Sequence, residues 1–447
     1  MRSARDLAGD LLSIHERTGA WVGERLEVER RQLSDPRDRA LLTELVHGVV
    51  RQRGALDVAL ARVSKRSLKD LNRAVLTGLR LGAYQMLYLD RVPDHAVLDT
   101  SVAWARHHAG PRRAGYVNGA LRGLLRSIDK RRVPVGSEPQ RDLPRPDGTF
   151  VRFRRPLFAD PRHEWGLNRA ARWSHPRWLV ERWLAQFGPE RTDALLAAGI
   201  SRPGVVLRAR VARTALAERL VADGLTVHEG ATDDALAVDA PEGAVASWID
   251  QGLAAVQDPT SQLVVPHLDP QPGERVLDLC AAPGGKSLHI ADRMRHGELV
   301  AADVDADRLA QVAALARTMG DVALTTTRVP PEGPLPFDLR TFDRILVDAP
   351  CTNTGVLRRR VEARWRLREE DVGALAGIQR SLLERAWPLL RPGGRLVYST
   401  CSVEPDEDEA VAAAFAASTP AAQLAVQVRT DPSPAADGGY LAVFDRR

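Results

Sequence analysis

Arg275-Val-Leu-Asp-Leu-Cys-Ala-Ala-Pro-Gly-Gly-Lys286 is the stretch that decides the fold. Arg275 to Cys280 is an apolar run of the length of a buried strand. It breaks at Ala-Ala-Pro-Gly-Gly, and a helical pattern resumes from Lys286 through Met294. A strand, a glycine turn and a helix open a nucleotide-type α/β fold, because glycine lets the backbone approach a ligand with no Cβ in the way. The turn is not the GxGxxG dinucleotide pattern, and it lacks the full GxxxxGK[ST] phosphate-loop frame because Cys280 stands where the first glycine belongs, so its meaning depends on its surroundings.

Working outward, Leu299-Val-Ala-Ala-Asp-Val-Asp305 reads as a second strand ending in acids. Asp303 stands 25 residues after Asp278, near the spacing at which a carboxylate accepts from both ribose hydroxyls of a nucleotide. The competing role for an acid here is a helix N-cap, which Asp305 or Asp307 also supplies. A further strand, Phe342-Asp-Arg-Ile-Leu-Val-Asp-Ala-Pro-Cys351, runs into Thr-Asn-Thr-Gly355, and another, Gly394-Arg-Leu-Val-Tyr-Ser-Thr-Cys-Ser402, ends in Thr-Cys-Ser. Two cysteines at the ends of parallel strands face one crevice, where α/β folds bind ligands. Cys280, inside its strand, reads as a small core residue. Cys351 and Cys401 stand at polar strand-to-loop junctions, which core packing does not need.

The 447 residues allow two to four domains with ample cores. No run of eighteen apolar residues occurs, and the N-terminus has no apolar signal core, so a soluble cytoplasmic protein without membrane contact is expected. Cysteines at 280, 351 and 401 alone fit neither a disulfide framework nor a zinc site, and no metal is expected. The net charge of +5 hides an asymmetry: residues 1–132 carry +10, 133–182 carry +4 and 183–447 carry −9. A basic front module joined to an acidic remainder points to a polyanion, with a solvated arginine-rich surface as the plain alternative.

Residues 1–132 carry apolar residues at three- and four-residue spacing over Asp6–Val22, Asp38–Val63, Leu68–Leu89, Ala96–Ala109 and Gly115–Ile128, which predicts a helical bundle. Residues 133–172 hold six prolines and many arginines, and read as a flexible linker or insertion in which Phe150–Arg155 is a candidate strand or nucleic-acid-contacting loop. Residues 173–256 read as a small α/β subdomain opening with a helix capped by Ser174, and 257–447 as alternating strands and helices in a largely parallel sheet. The acidic run Glu404–Glu409 reads as a helix N-terminal cluster.

Three strings in the front module, Asp38–Arg51, Gly82–Leu89 and Tyr116–Arg122, resemble NusB-type antitermination factors, a fold of small helical RNA-binding bundles. Asp278-Leu-Cys-Ala-Ala-Pro-Gly-Gly-Lys286, Asp348-Ala-Pro-Cys351 with Thr354-Gly355, and Thr400-Cys-Ser402 resemble the motifs of the RNA cytosine-5 methyltransferases of the Nop2/Sun family. The ordered set of three is specific where each alone is not. The resemblance implies a Rossmann-like S-adenosylmethionine-dependent methyltransferase domain behind a NusB-like bundle. It also implies methylation of carbon 5 of a cytosine in RNA, small-subunit (16S) ribosomal RNA above all; a monomer is expected.

On the same resemblance, Cys401 attacks carbon 6 of the base, Cys351 completes release, and Asp348 meets the cytosine edge. Cys280, Ala281, Ala282, Pro283, Gly284, Gly285, Lys286, Asp303 and Asp348 would hold the cofactor. Lys286 would also favour a thiolate. The basic stretch holding Arg358, Arg359, Arg360 and Arg364 is expected to contact RNA phosphates. The chain departs from the family pattern in three places. An acid usual after the third strand is replaced by Thr325-Thr-Thr-Arg-Val-Pro330, leaving adenine to other groups such as backbone near Val329. The loop after Cys351 has Thr-Asn-Thr-Gly where Ser-Gly-Thr-Gly is commoner, and Arg360-Val-Glu-Ala363 replaces a usual His-Pro-Asp. The rival from another class is a non-catalytic RNA-binding or assembly factor that keeps a methyltransferase shell.

Overall fold

The computed structural model describes residues 2–19, 22–240 and 243–447. The chain divides into two compact units, residues 1–202 with 357–366, and residues 203–356 with 367–447.

The first unit is built on α1 (Ala4–Thr18), α2 (Val22–Arg30), α3 (Pro36–Arg51), α4 (Arg53–Val63), α5 (Arg73–Tyr88), α6 (Asp94–Ala109) and α7 (Pro111–Ser127). Local chemistry sets their starts. Ser3 and Asp6 form a capping box for α1, Asp35 caps α3 ahead of Pro36, and Asn72 caps α5. Gly19, at φ +65°, ends α1, so the stretch from Asp6 to Val22 is not one helix; its residues 20 and 21 lie outside the described ones. Helix α5 is buried from Thr77 through Tyr88 and forms the centre of this core.

Residues 133–172 are not a linker. A three-stranded antiparallel sheet, in the order β1 (Ile128–Val133), β3 (Phe150–Phe153), β2 (Asp142–Pro144), is followed by α8 (Trp165–Arg172). Leu143, Val151, Phe153, Leu157 and Phe158 join the same apolar core as the helices. Asp142, fully buried, is paired with Arg152 at 2.7 Å. The prolines mislead because Pro144 closes an edge strand, where no ladder hydrogen bond is lost. Helix α9 (Arg177–Ile200) is kinked at Gly188-Pro189. Ser174 does not cap it: its Oγ accepts from the Gly54 N–H at 3.0 Å, and Pro176 holds the cap position.

The second unit opens with β4 (Val205–Ala209), α10 (Arg213–Ala222), β5 (Thr226–Glu229), β6 (Ala235–Asp239), α11 (Ala246–Asp250) and β7 (Ala254–Val256), an antiparallel sheet in the order β5-β6-β4-β7. Then come α12 (Pro259–Leu268), β8 (Arg275–Leu279), α13 (Gly285–Met294), β9 (His296–Asp303), α14 (Ala306–Ala314), β10 (Asp321–Arg328) and β11 (Phe342–Asp348). After α15 (Ala363–Arg366), in the segment that belongs to the first unit, follow α16 (Glu369–Ala386), β12 (Leu390–Thr400), α17 (Glu409–Ser418), β13 (Ala422–Thr430) and β14 (Gly439–Arg446).

The large sheet runs β10-β9-β8-β11-β12-β14-β13; the first five strands are parallel, and β14 pairs antiparallel with both β12 and β13. Leu277, Leu279, Ile345, Val347 and Leu396 are fully buried along it, as strands covered on both faces require. The strand order turns back between β8 and β11. The carboxyl ends of those strands, Asp278-Leu279 and Asp348, therefore flank the crevice where such sheets bind ligands. Among the described residues no helix is long and apolar enough to cross a membrane.

Candidate active site

The register of β11 with β12 sets Asp348 beside Ser399, and the Ser399 hydroxyl donates to Asp348 Oδ1 at 2.7 Å. Lys286, from the first turn of α13, donates to Asp348 Oδ2 at 2.6 Å. Burial works against the Lys286 charge, but Asp348 and then Cys401 outweigh it and raise its pKa. Lys286, Asp348, Ser399 and Cys401 line one recess with Asp258 and Tyr440.

The two strand-end cysteines meet: Cys351 Sγ lies 3.2 Å from Cys401 Sγ, and both are free thiols. The hydrogen bond with Cys401 is the first cause, and burial the second, that push the Cys351 thiol well above its usual range. Lys286 and Cys401 thus share one recess, while the proton is held on Cys351. Asn353, which sequence reasoning missed as a functional residue, stands at φ +62°. A glycine there adopts this conformation freely, and asparagine is among the few other residues that do so readily. Its amide binds the Cys351 carbonyl at 2.7 Å, and its Oδ1 lies 3.3 Å from Cys401 Sγ.

Cys280 corrects the sequence reading, since β8 ends at Leu279 and Cys280 lies in the turn at φ +68°. Burial first, then the charges of Asp303, Asp348 and Asp278, push its thiol up, so it stays protonated. Asp303, nearly buried, accepts from the Ala282 N–H at 3.2 Å and the Asp305 N–H at 3.1 Å, and so ties the end of β9 to the glycine turn. Asp305 is the N-cap of α14. The Val329 N–H donates to the Asp303 carbonyl at 3.0 Å and is therefore not a free donor for adenine.

The residues present fit a bound S-adenosylmethionine. Gly284, at φ +104°, turns the backbone where a Cβ would fall 2.7 Å from Leu315. A Cβ on Gly285 would project into open space, leaving a cradle against the backbone. Asp278 is fully buried, with Oδ2 accepting from Ser287 at 2.5 Å and Oδ1 lacking any partner, an acceptor that a ligand's amino or hydroxyl group would satisfy.

Burial pushes the Asp278 carboxyl up to about 7. Between the unfolded value of 3.8 and that value the folded protein holds a proton that the unfolded chain releases, so stability falls as pH rises through this window. Asp278→Asn removes the titration. Without cofactor, the wild type should lose roughly 4 kcal/mol relative to the variant between pH 4 and pH 8, read by denaturant unfolding across that range. A difference that does not change with pH would refute the assignment.

The arginine stretch divides. Arg364 is fully buried and donates to the carbonyls of Gly199 at 2.6 Å, Leu357 at 2.7 Å and Ser174 at 3.3 Å. Burial, then Arg51, lowers its pKa to about 9. Arg358 is 2% exposed, and its carbonyl accepts from Arg51 at 2.9 Å. Neither Arg358 nor Arg364 can reach a phosphate, because both side chains are buried. Arg359 is half-buried and Arg360 exposed. The acidic run divides: Asp408 is the N-cap residue of α17 and Glu409 its first-turn acid, while Glu404 and Glu407 are fully buried ahead of the helix.

The family description "16S rRNA methyltransferase RsmB/F" matches residues 265–439, the NusB family matches 2–126, and the ferredoxin-like domain of RsmF/B-like methyltransferases matches 175–245. The ribosomal RNA small subunit methyltransferase B of Cronobacter sakazakii is 33% identical over 428 residues, covering 94% of this chain and 91% of that protein. The chain belongs to the ribosomal RNA small subunit methyltransferase B family. A probable member of that family from Bacillus subtilis is likewise 33% identical, over 92% of this chain and 88% of its own length. A methyltransferase homolog from Pyrococcus horikoshii, 26% identical, superimposes with a TM-score of 0.54 over 63% of this chain and 99% of its own. Within the family assignment, the four-stranded sheet β5-β6-β4-β7 falls largely in the ferredoxin-like region and the large sheet in the methyltransferase region.

Proposed function

We propose that this protein transfers a methyl group from S-adenosylmethionine to carbon 5 of a cytosine in 16S ribosomal RNA, through a covalent adduct with Cys401. The observation that carries the reading is the thiol pair, 3.2 Å apart, beside the Lys286–Asp348 pair. A shell that only binds RNA has no need of two apposed thiols. Bound S-adenosylmethionine supplies an electrophilic methyl group.

The protein's part is to make carbon 5 nucleophilic. Cys401, sharing its recess with the Lys286 cation, adds as thiolate to carbon 6 of a base taken out of any stack, and the displaced electron pair makes carbon 5 enamine-like. Asp348, held by Lys286 and Ser399, meets the base edge as charge develops there. After carbon 5 has taken the methyl group it still carries its proton. With Cys401 now a thioether, its hydrogen bond and charge no longer hold the proton on Cys351. Cys351 gives that proton up to solvent and removes the one on carbon 5. The freed electron pair forms the ring double bond and expels the Cys401 thiolate. Tritium transfer from labelled cofactor to carbon 5 of cytosine in 16S RNA from a strain lacking the enzyme tests the reading. No incorporation with cofactor demonstrably bound would overturn it.

RNA affinity is assigned to the first unit, whose residues 1–132 carry +10 and no cysteine. A cleft there is lined by Arg66, Arg112, Arg113 and Tyr116. Cutting the chain at 132 cannot test this, because the unit's core continues through Phe158. Arg112→Ala with Arg113→Ala should instead lower the slope of log binding constant against log salt by about 2, leaving the rate at saturating RNA unchanged. An unaltered slope would remove these arginines from the RNA surface. Arg359 and Arg360 are left as candidates for phosphate contact.

A further inference from the structure

Glu407 is fully buried and lies just ahead of Asp408, the N-cap residue of α17. Its Oε1 accepts from the Thr352 N–H at 2.9 Å and the Gln379 amide at 3.0 Å. Its Oε2 accepts from the Ser402 hydroxyl at 2.6 Å and from the Thr352 hydroxyl. Four donors fill the acceptor sites of one carboxylate, the condition under which a buried charge is tolerated. Its own carbonyl accepts from the Tyr398 hydroxyl. Thr352 follows Cys351, and Ser402 follows Cys401. One carboxylate therefore grips the residue next to each thiol, with Gln379 of α16 donating to the carboxylate and Tyr398 of β12 holding Gln379 and the Glu407 carbonyl.

We propose that Glu407 is a positioning residue that ties the 351–355 loop to the end of β12 and so holds the Cys351 and Cys401 thiols at their reacting separation. The proposal rests on the two-cysteine reading for its catalytic consequence, but not for its geometry. Glu407 has no exposed surface and touches no reacting atom; it acts through Thr352 and Ser402. Glutamine at 407 can keep the tie. Its carbonyl accepts from the Thr352 N–H and from Gln379, while the two hydroxyls rotate to accept from its amide.

The test reads geometry and turnover separately. Diamide takes two electrons and two protons from a close thiol pair and leaves a disulfide; peptide mass spectrometry follows the Cys351–Cys401 bridge, with Cys280 as an internal control. Glu407→Ala should slow bridge formation at least about tenfold and lower kcat about a hundredfold, with KM for RNA and cofactor affinity within about threefold. Glu407→Gln should recover both to within about tenfold of wild type. Wild-type bridging and turnover in Glu407→Ala would overturn the proposal, as would a Glu407→Gln as impaired as the alanine variant. If Glu407→Ala does not fold, Ser402→Ala, which removes one donor and leaves the carboxylate, must slow bridging about threefold; an unchanged rate overturns the proposal. Should Cys401→Ala methylate RNA normally, the catalytic reading falls, while bridging, measured without RNA, still judges the tie.

Discussion

Cys351→Ala is expected to remain covalently attached to methylated RNA, and Cys401→Ala to lose turnover with no attachment. Without Cys401 no carbon–sulfur bond forms at carbon 6, so carbon 5 stays a poor nucleophile and activity should fall to background. Without Cys351, attack and methyl transfer proceed, but the base assigned to the carbon 5 proton is gone and the adduct persists. On a denaturing gel this complex runs as a slow, nuclease-sensitive band. The environments argue for this division of labour: Lys286 is raised in pKa partly by Cys401, while Cys351 keeps its proton through Cys401 and burial. An adduct accumulating in Cys401→Ala and not in Cys351→Ala would reverse the roles. Loss of activity in both without trapping would leave Cys351 a positional residue.

The parts of the site legible in the sequence were those fixed by local backbone rules. The strand, glycine turn and helix from Arg275 to Met294 declared themselves because a buried strand needs a continuous apolar run and the turn needs residues that tolerate it. The convergence of Cys351 and Cys401 followed from parallel topology alone, since strand ends on one side of a sheet meet in one crevice. Asn353 could have been found from its departure, because asparagine where glycine is common signals a left-handed residue.

What stayed hidden depends on partners distant in the chain. Arg364 reads like any solvated arginine until Ser174 and Gly199, more than 160 positions away, place their carbonyls around it. Residues 133–172 look like a linker by composition, yet Leu143, Val151 and Phe153 find their apolar neighbours on helices earlier in the chain. Glu404, Glu407 and Asp408 look like a dipole-favouring cluster. For Glu407 donors come from Thr352 and Gln379, and for Asp408 from Thr400, none of them belonging to a helix-cap pattern in the sequence.

Gly355→Ala should cost the enzyme more than any other single-methyl change near the site. The Gly355 N–H donates to the Cys401 carbonyl at 3.0 Å, and its own carbonyl accepts from the Gly438 N–H at 2.8 Å. A Cβ at 355 would sit 2.4 Å from the Gly438 oxygen and 2.8 Å from the Cys401 oxygen. Both are backbone atoms with no rotamer to yield, so the loop carrying Cys351 must move away from the turn carrying Cys401. Overpacking of this kind costs about 1–3 kcal/mol, and a displacement near 1 Å at reacting groups costs about a hundredfold in rate. The thermal midpoint should therefore drop modestly while kcat collapses. Cofactor affinity, assigned under the proposed function to the turn after β8 rather than to this loop, should change less than about threefold. Gly285→Ala makes the opposite case: its Cβ meets no protein atom, so stability should hold while the new methyl group occupies the cradle and weakens cofactor binding. Calorimetric titration with S-adenosylmethionine, together with melting curves and kcat for both variants, separates the two. If Gly355→Ala kept wild-type turnover, the apposition of the two loops would not be what the reaction requires.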